Sequence, residues 1–592
     1  MKLLRIKITD LAGFRSLPCG FEHHFRTNRT LQDELAEPED FAPFVCAGRN
    51  GSGKSNLLEA LAAVFFQLEI LRVRRSFLPE ILQNAGEDFS PVAFELDYLI
   101  RVPAEYIQPD GPVWAQVGVW KNPGESVRFQ WHNQGNFNTS VYEAFDGDHA
   151  DILMPQYVLG YSSGENEILS LPFFKLRFVQ FDEYWNSLTQ QLSYPGHPET
   201  RLAYLDNGFS QAILLCNLLF QDDTNLQPFR EDVGIEALRQ FRIILKLSIE
   251  VPANHAAELT SGDYFSPGYS EDRYSTDNPA ISLDAQTGAY TVNLMSLLEG
   301  DERSSIIEKL KRCATLSHQD EASDTLFLDY WVNEATREAF RDNFDGDPLN
   351  LFQAFQVLLV LNLHSVSNSL KTDIYQSKSY YVSETVPTLA SDERAMRFKE
   401  VYLKKQNVVK PMLLKELSDG EHQLLHSLGL CLLFRNTNSL FLLDEPETHF
   451  NPAWRASFIS RLRKCLQGQA ESSQEMLITT HSPFLISDSK PGKVMIFDKD
   501  LDSGAVNISH PEYNTLGASI NKITMTTFGK RETIGGHAQS ILTGLRERFE
   551  RGEEVSTLIT ELDRELGDSL EKVLLVNTML GHAPQDREKG QN

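Results

Sequence analysis

Apolar positions along this chain fall into three kinds of pattern. Residues 2–9 alternate apolar and charged side chains, as a half-exposed strand does, and residues 91–100, 113–119 and 126–131 are strand-like pieces set between Pro, Gly and Asn turns. Together they predict an antiparallel sheet. Short continuous apolar runs at 44–47, 157–161, 439–443 and 476–480 instead predict buried strands, each delivering a small polar loop. Helical periodicity over 56–71 places Leu57, Leu58, Leu61, Phe65 and Leu68 on one side of a helix. Helical patterns then dominate from 178 to 251, clearest over 202–220 and 235–247. They resume at 301–313 and 333–370, behind Ser418 as far as Leu433, and at 538–551 and 555–580. Polar stretches at 27–40, 254–280 and 467–475 read as surface loops, and 280–292 as a hairpin turning near Thr287 and Gly288. There are no sustained heptads and no internal repeat.

Composition bounds this picture. A chain of 592 residues is too long for one core and predicts two or three lobes, while 41% hydrophobic and 23% charged residues are those of an ordinary folded protein. No apolar run reaches the length of a membrane span, and the amino terminus reads as a strand rather than a signal peptide, so a cytoplasmic protein with no membrane contact is expected. Six scattered cysteines without a C-x-x-C pair read as reduced thiols and no zinc site. A formal net charge of −27 argues against broad coating of nucleic acid. A local basic track is compatible with it; the candidates Arg72, Arg74, Arg75, Lys309, Lys311 and Arg312 read first as solvated faces.

The candidate chemistry is ordered along the chain. Residues 48–55 fit G-x-x-x-x-G-K-[ST], with a buried strand before and a helix behind. Glycines let successive N–H groups turn around phosphate oxygens, Lys54 reaches the outer phosphates, and the Ser55 hydroxyl is placed for Mg²⁺. The nucleotide-binding candidates are therefore Asn50, Gly51, Ser52, Gly53, Lys54, Ser55 and Asn56. Far downstream, Leu417-Ser-Asp-Gly-Glu421 opens an apolar helix with Ser418 as its N-cap, and the free N–H groups behind Gly420 can bind an anion. The strand over 439–443 then ends in Asp444, which can hold Mg²⁺ and its water shell, and Glu445, which can polarise an attacking water. His481 stands at the end of the next buried run, where it can touch a γ-phosphate. Ser162-Ser-Gly-Glu-Asn166 ends its own strand like a sensor loop at a nucleotide site, and Arg15, between the first strand and the glycine loop, is a candidate nucleotide contact.

These four motifs, in this order, resemble the ATP-binding-cassette superfamily. The resemblance implies an α/β fold: a P-loop ABC-type ATPase core with a flanking antiparallel β-sheet and a largely helical insertion between P-loop and signature. It implies that Gly48 to Ser55 hold ATP phosphates and Mg²⁺, that Ser418 and Gly420 meet the γ-phosphate held by a second copy, and that Asp444 supports Mg²⁺. Glu445 and His481 become the catalytic base and the switch histidine. Asp419 stands where transporters usually have glycine. Glu447-Thr-His-Phe-Asn-Pro452 resembles the His-x-x-Pro variant of SMC/RecF-like and OLD-like ATPases, and Gly13-Phe-Arg-Ser16 resembles the Phe-Arg-Ser element that opens SMC and RecF proteins, in which the arginine approaches the nucleotide. About 360 residues separate P-loop and signature, too many for a transporter subunit and without an SMC coiled coil. The tail lacks the clustered carboxylates of a two-metal nuclease.

The organisation expected is an ATPase lobe over 1–175, a mainly helical insertion over 176–400, a second ATPase lobe over 401–500 and a helical tail over 501–592. The chain most resembles stand-alone AAA-type ATPases of bacterial anti-phage operons, the Septu ATPases of the PtuA type and restriction-system-associated ATPases. That likeness implies an ATPase that forms at least a homodimer around ATP and regulates a separate nuclease effector, such as an HNH protein. The alternative is a RecF/SMC-like DNA-repair ATPase that clamps DNA directly.

Overall fold

The computed structural model describes all residues except 37–40, 74–77, 84–88, 139–151, 165, 199, 252–277, 284–288, 300–304, 378–385, 467–472, 501, 503, 530–533 and 582–592. Its central element is a seven-stranded sheet. Across the sheet the strands run Val506–Ser509, Val494–Lys499, Phe44–Gly48, Glu475–Thr480, Ser439–Asp444, Tyr157–Ser162 and Leu202–Tyr204. All neighbours are parallel except the antiparallel edge pair Val494–Lys499 and Val506–Ser509. The strands Phe44–Gly48, Ser439–Asp444 and Glu475–Thr480 are buried at every position, as expected where both faces of a parallel sheet are covered. Register aligns their ends: Asp444 lies opposite both Thr479 and Ser162, and Thr480 opposite Ala47. The polar loops after all four strands therefore emerge at one edge of the sheet, the place where open α/β sheets bind ligands.

The expected antiparallel sheet is present. It has five strands, ordered Glu22–His24, Lys2–Ile8, Phe94–Arg101, Trp114–Lys121 and Arg128–Trp131. The helix Lys54–Arg72 shares one apolar cluster with both sheets: Leu57, Leu61 and Phe65 pack with Leu3, Ile6 and Leu96 and with Leu440, Leu442 and Leu477. It is consequently buried on all sides from Leu57 to Ile70, more than a single apolar stripe requires.

Several sequence expectations are corrected. Residues 235–247 form the strand Ile235–Lys246, not a helix. It pairs with Thr325–Trp331 and with Met396–Lys405, and the second pairing slips repeatedly, so that Arg239 and Glu236 are extra residues on its side. Each of these two extra residues lengthens the alternation by one. Burial thus falls at every third residue, Ile235, Leu238 and Phe241, before the continuous buried run Ile243, Ile244 and Leu245, and a bulged strand imitates a helical repeat. Residues 202–220 divide into the edge strand Leu202–Tyr204 and the helix Asn207–Phe220, capped by the Asp206 carboxylate. The insertion expected to be mainly helical is thus mixed α/β, with a five-stranded sheet (Leu316–Asp320, Thr325–Trp331, Ile235–Lys246, Met396–Lys405, Met412–Leu413) and a three-stranded one beside its helices. Within the latter, Ile281–Leu283 and Tyr290–Asn293 pair as the predicted hairpin requires, while its turn lies outside the described residues, as does nearly all of 254–280.

Residues 28–36 form an exposed helix rather than a loop. The tail beyond 501 adds the strand Val506–Ser509 and the helix Ile520–Thr527, and its last predicted helix is broken into Val555–Glu565 and Leu570–Gly581. With Gly536–Glu550 these form a three-helix unit around Leu542, Leu545, Leu558, Leu562, Leu575 and Met579. All six cysteines are free thiols, and only Cys19 is exposed. Among the described residues no single helix is long and apolar enough to cross a membrane.

Glu475, expected at the surface, is 3% exposed and joins the two sheets. Its carboxylate accepts from the Arg26 guanidinium at 2.6 and 3.2 Å and from the Leu3 N–H at 2.7 Å, and Arg26 also donates to Glu34 at 2.9 Å. Lys2 and Lys493 close on Glu34 at 2.9 and 2.7 Å. Burial pushes the Glu475 carboxyl up, but the charge and hydrogen bonds of Arg26 outweigh it and leave the group below the usual carboxylate range. A carboxylate depressed in this way contributes stability above its unfolded pKa that is lost as pH falls through the folded one. Glu475→Gln, which leaves Arg26 buried with half its counter-charge, is expected to cost about 3–5 kcal/mol in urea denaturation at pH 7, the scale of breaking a buried pair. The difference from wild type should shrink in acid.

Candidate active site

The loop between Phe44–Gly48 and Lys54–Arg72 is a cradle that only glycine can build. Gly51 and Gly53 take φ of 76° and 97°. A Cβ on Gly48 would lie 2.3 Å from the Phe497 carbonyl oxygen, and one on Gly53 would lie 2.9 Å from Ser16 Oγ. Asn50 and Gly51 are exposed at the turn, whereas Ser52, Gly53 and Lys54 are buried. The Ser52 hydroxyl has no hydrogen-bond partner. Lys54 folds back over the loop and donates to the carbonyls of Gly48 at 3.2 Å and Arg49 at 3.0 Å. Its burial lowers its pKa, partly offset by the fields of Glu445 and Asp444.

Asp444 is the point where the motifs meet. Its Oδ1 accepts from Ser55 Oγ at 2.8 Å and Thr479 Oγ1 at 2.6 Å, and its Oδ2 from Asn166 Nδ2 at 3.0 Å. Asn166 also donates to Glu59 at 3.1 Å, and Glu59 accepts from Asn56 at 2.8 Å. Asn56 in turn accepts from Ser16 at 2.5 Å. A continuous polar chain therefore runs from the Phe-Arg-Ser element through the P-loop helix to Asp444. Burial raises the Glu59 carboxyl, against the hydrogen bonds of Asn56 and Asn166. Arg15, at φ 57°, lines a cavity with Glu59 and lies within reach of its charge.

Glu445 follows Asp444 with φ 49°, a left-handed backbone uncommon for a residue with a side chain. Its N–H is held by the Thr479 carbonyl at 3.2 Å and the Thr479 hydroxyl at 3.0 Å. The turn throws its side chain toward His481, whose Nε2 is 3.1 Å from Glu445 Oε1, and that hydrogen bond chiefly lowers the Glu445 pKa. Both side chains remain open to solvent, at 35% for His481 and 38% for Glu445. Ser55 and Asp444 present hydroxyl and carboxylate oxygens suited to Mg²⁺, the glycine cradle fits phosphate oxygens, and Glu445 is placed to take a proton from a water above them.

Ser418 and Gly420 take no part in this hydrogen-bonded group. Ser418 is the N-cap of the helix Asp419–Leu433, in a reciprocal capping box with Glu421. Glu421 is itself paired with Lys405. A Cβ on Gly420 would lie 2.8 Å from the His449 carbonyl oxygen, so glycine is required there for the signature helix to reach the turn after Glu445. Among the described residues no hydrogen bond links Ser418 or Gly420 to the P-loop of the same chain. The tail does reach it: Arg49 Nε donates to the Phe528 carbonyl at 3.3 Å, and the Phe528 ring lies 6.4 Å from that of His481.

The sequence reading did not single out Thr479 or Glu59, and it named Asn166 only as the end of the sensor-like loop after Tyr157–Ser162. A hydroxyl pair before a strand-end histidine, and an acid one helical turn behind Ser55, are the signals that point to Thr479 and Glu59. The basic candidates gain no nucleic-acid role: Arg72 binds Glu69 at 2.8 Å, Lys311 binds Glu308 at 2.8 Å, and Lys309 sits over the Phe344 ring, while Arg74 and Arg75 lie outside the described residues.

Glu447, 4% exposed, has its carboxyl pushed up to about 7 by burial. A raised carboxyl contributes stability that is complete below its unfolded pKa and lost as pH rises to the folded one. Glu447→Gln is therefore expected to gain stability relative to wild type between pH 4.5 and about 7 and to show a constant difference above that window, read by urea denaturation across pH.

No curated protein matches the chain. Residues 331–487 match the model of a family described as AAA domain, putative AbiEii toxin, Type IV TA system, a span holding the signature helix, Asp444, Glu445 and His481. That match, together with the mixed α/β fold, supports a P-loop AAA ATPase.

Proposed function

We propose that this chain is the ATP-binding and ATP-hydrolysing component of a bacterial anti-phage defence system, dimerising around ATP to regulate a separate nuclease effector. The observation that carries the reading is that the P-loop side of the site and the signature helix end are not joined by any described hydrogen bond within one chain. Lys54, Ser55, Asp444, Glu445 and His481 converge at the carboxyl edge of the sheet, while among the described residues the capped helix end at Ser418 makes no hydrogen bond to the P-loop of its own chain. A helix N-terminus with free N–H groups is an anion site, and here it serves the γ-phosphate bound by another copy.

In this reading Lys54 and the loop from Asn50 to Gly53 hold the phosphates, with Arg15 and Asn56 at the margin of the nucleotide. Ser55 and Asp444 hold Mg²⁺, which supplies neutralisation of phosphate charge. Glu445 accepts the proton of the attacking water, and His481 orients Glu445 and contacts the γ-phosphate. ATP bridges the two copies with contacts that ADP lacks, so nucleotide state sets the balance between closed and open assemblies. The defence role rests on the likeness to Septu ATPases and on the toxin-associated description of the matching family. A nuclease partner of HNH type follows from the same likeness. The alternative of a DNA clamp gains no support from the paired and ring-covered basic residues or from the net charge of −27.

Glu445→Gln is expected to lower ATP turnover by about 10²–10⁴-fold while ATP-held dimers accumulate in light scattering and retain the effector nuclease. Turnover equal to wild type would remove the mechanism. A mixture of Lys54→Ala and Ser418→Arg chains, each inactive alone, should recover roughly a quarter of wild-type turnover by random pairing in a two-fold dimer. Absence of recovery would place both half-sites on one chain.

A further inference from the structure

Glu447 is an unusual residue to bury. Two residues beyond Glu445, it is 4% exposed; its Oε2 has no hydrogen-bond partner, and its Oε1 accepts from the Thr480 hydroxyl. A buried carboxyl with one oxygen unpaired costs stability that an apolar side chain of similar volume would not incur. Neither the P-loop nor the signature helix uses it.

What Glu447 does use is the turn that carries His481. Thr479 and Thr480 are successive residues of one strand, so their side chains point to opposite faces. The Thr479 hydroxyl donates to Asp444, and the Thr480 hydroxyl donates to Glu447. With its proton committed to Glu447, the Thr480 oxygen accepts the Ser482 N–H at 2.8 Å, closing a local turn across His481. That turn sets the direction in which the imidazole leaves the strand. The other end of the link is equally fixed. Glu447's backbone carbonyl accepts from the Phe450 N–H at 3.0 Å and Arg455 Nε at 3.3 Å, and the His449 N–H donates to Gln423 at 2.9 Å, so Glu447 sits on a turn anchored to the signature helix.

We propose that Glu447 is a positioning residue for the Glu445–His481 pair, acting through the Thr480 hydroxyl to hold the two turns at the spacing where base and imidazole meet. The inference rests on the reading of Glu445 as catalytic base. Glu447 touches no reacting atom in it. Its part is to give the Thr480 hydroxyl one orientation out of several, and through it the switch histidine one exit from the strand.

The test is a split between kcat and KM with rescue. Thr480→Val, which keeps the shape and removes the hydroxyl, is expected to lower kcat about 10–100-fold, the scale of a small misplacement of catalytic groups, with KM for ATP within about twofold. Glu447→Leu should do the same from the other partner. Thr480→Ser and Glu447→Gln, which keep hydroxyl and acceptor, should stay within about threefold of wild type. Either disruptive variant suffices should the other fail to fold, with folding judged by thermal unfolding. Wild-type kcat in a folded Thr480→Val or Glu447→Leu overturns the inference, as does a loss in Glu447→Gln equal to that in Glu447→Leu. Glu445→Gln run alongside separates the levels: full turnover in that variant removes the functional reading, whereas its loss beside an unaffected Thr480→Val removes the positioning role alone.

Discussion

Asp444 is held by donors from three separate parts of the chain, and the site exists because they meet on that one carboxylate. Ser55 comes from the P-loop helix, Thr479 from the neighbouring strand and Asn166 from the loop after Tyr157–Ser162. A carboxylate accepting from Ser55, Thr479 and Asn166, and more distantly from Ser162 at 3.5 Å, is fixed in direction, and charge-assisted bonds of this kind are roughly twice as strong as neutral ones. The parallel register makes the meeting possible. Because Asp444 lies level with Thr479 and Ser162, residues hundreds of positions apart in sequence reach the same edge without a long loop.

The site was far more legible in the sequence than its surroundings. Glycine loop, Asp-Glu strand end and strand-end histidine are each dictated by local chemistry, so each appears as a compact motif. The supporting network does not. Asn166 reads only as part of a sensor-like loop and becomes an Asp444 partner through strand order, and Glu475 reads as the end of a polar connection until Arg26, about 450 residues earlier, is seen beside it. The fold was legible where the hydrophobic period stayed regular, as in the first antiparallel sheet. It was misread at Ile235–Lys246, where slips against Met396–Lys405 lengthened the alternation to three.

Gly420 and Gly53 mark how closely the elements approach. In each case a Cβ would meet a neighbour within 3 Å, the His449 carbonyl in one and Ser16 Oγ in the other. The signature helix is thus seated on the turn that follows Glu445, and the P-loop on the Phe-Arg-Ser element. Asp419, where transporters usually carry glycine, lies in the first turn of its helix beside Glu421, and both acids complement the helix dipole there. Lys405 pairs with Glu421 and so offsets part of the acid charge gathered at that helix end.

The central sheet ends in two short strands, three residues at Leu202–Tyr204 and four at Val506–Ser509. So little free backbone offers almost no template on which a neighbouring molecule could add a strand of its own. Growth of the central sheet from molecule to molecule is closed off at both margins, so contacts that involve this layer must be stitched through loops and helix ends, which can be made and undone without unzipping a ladder.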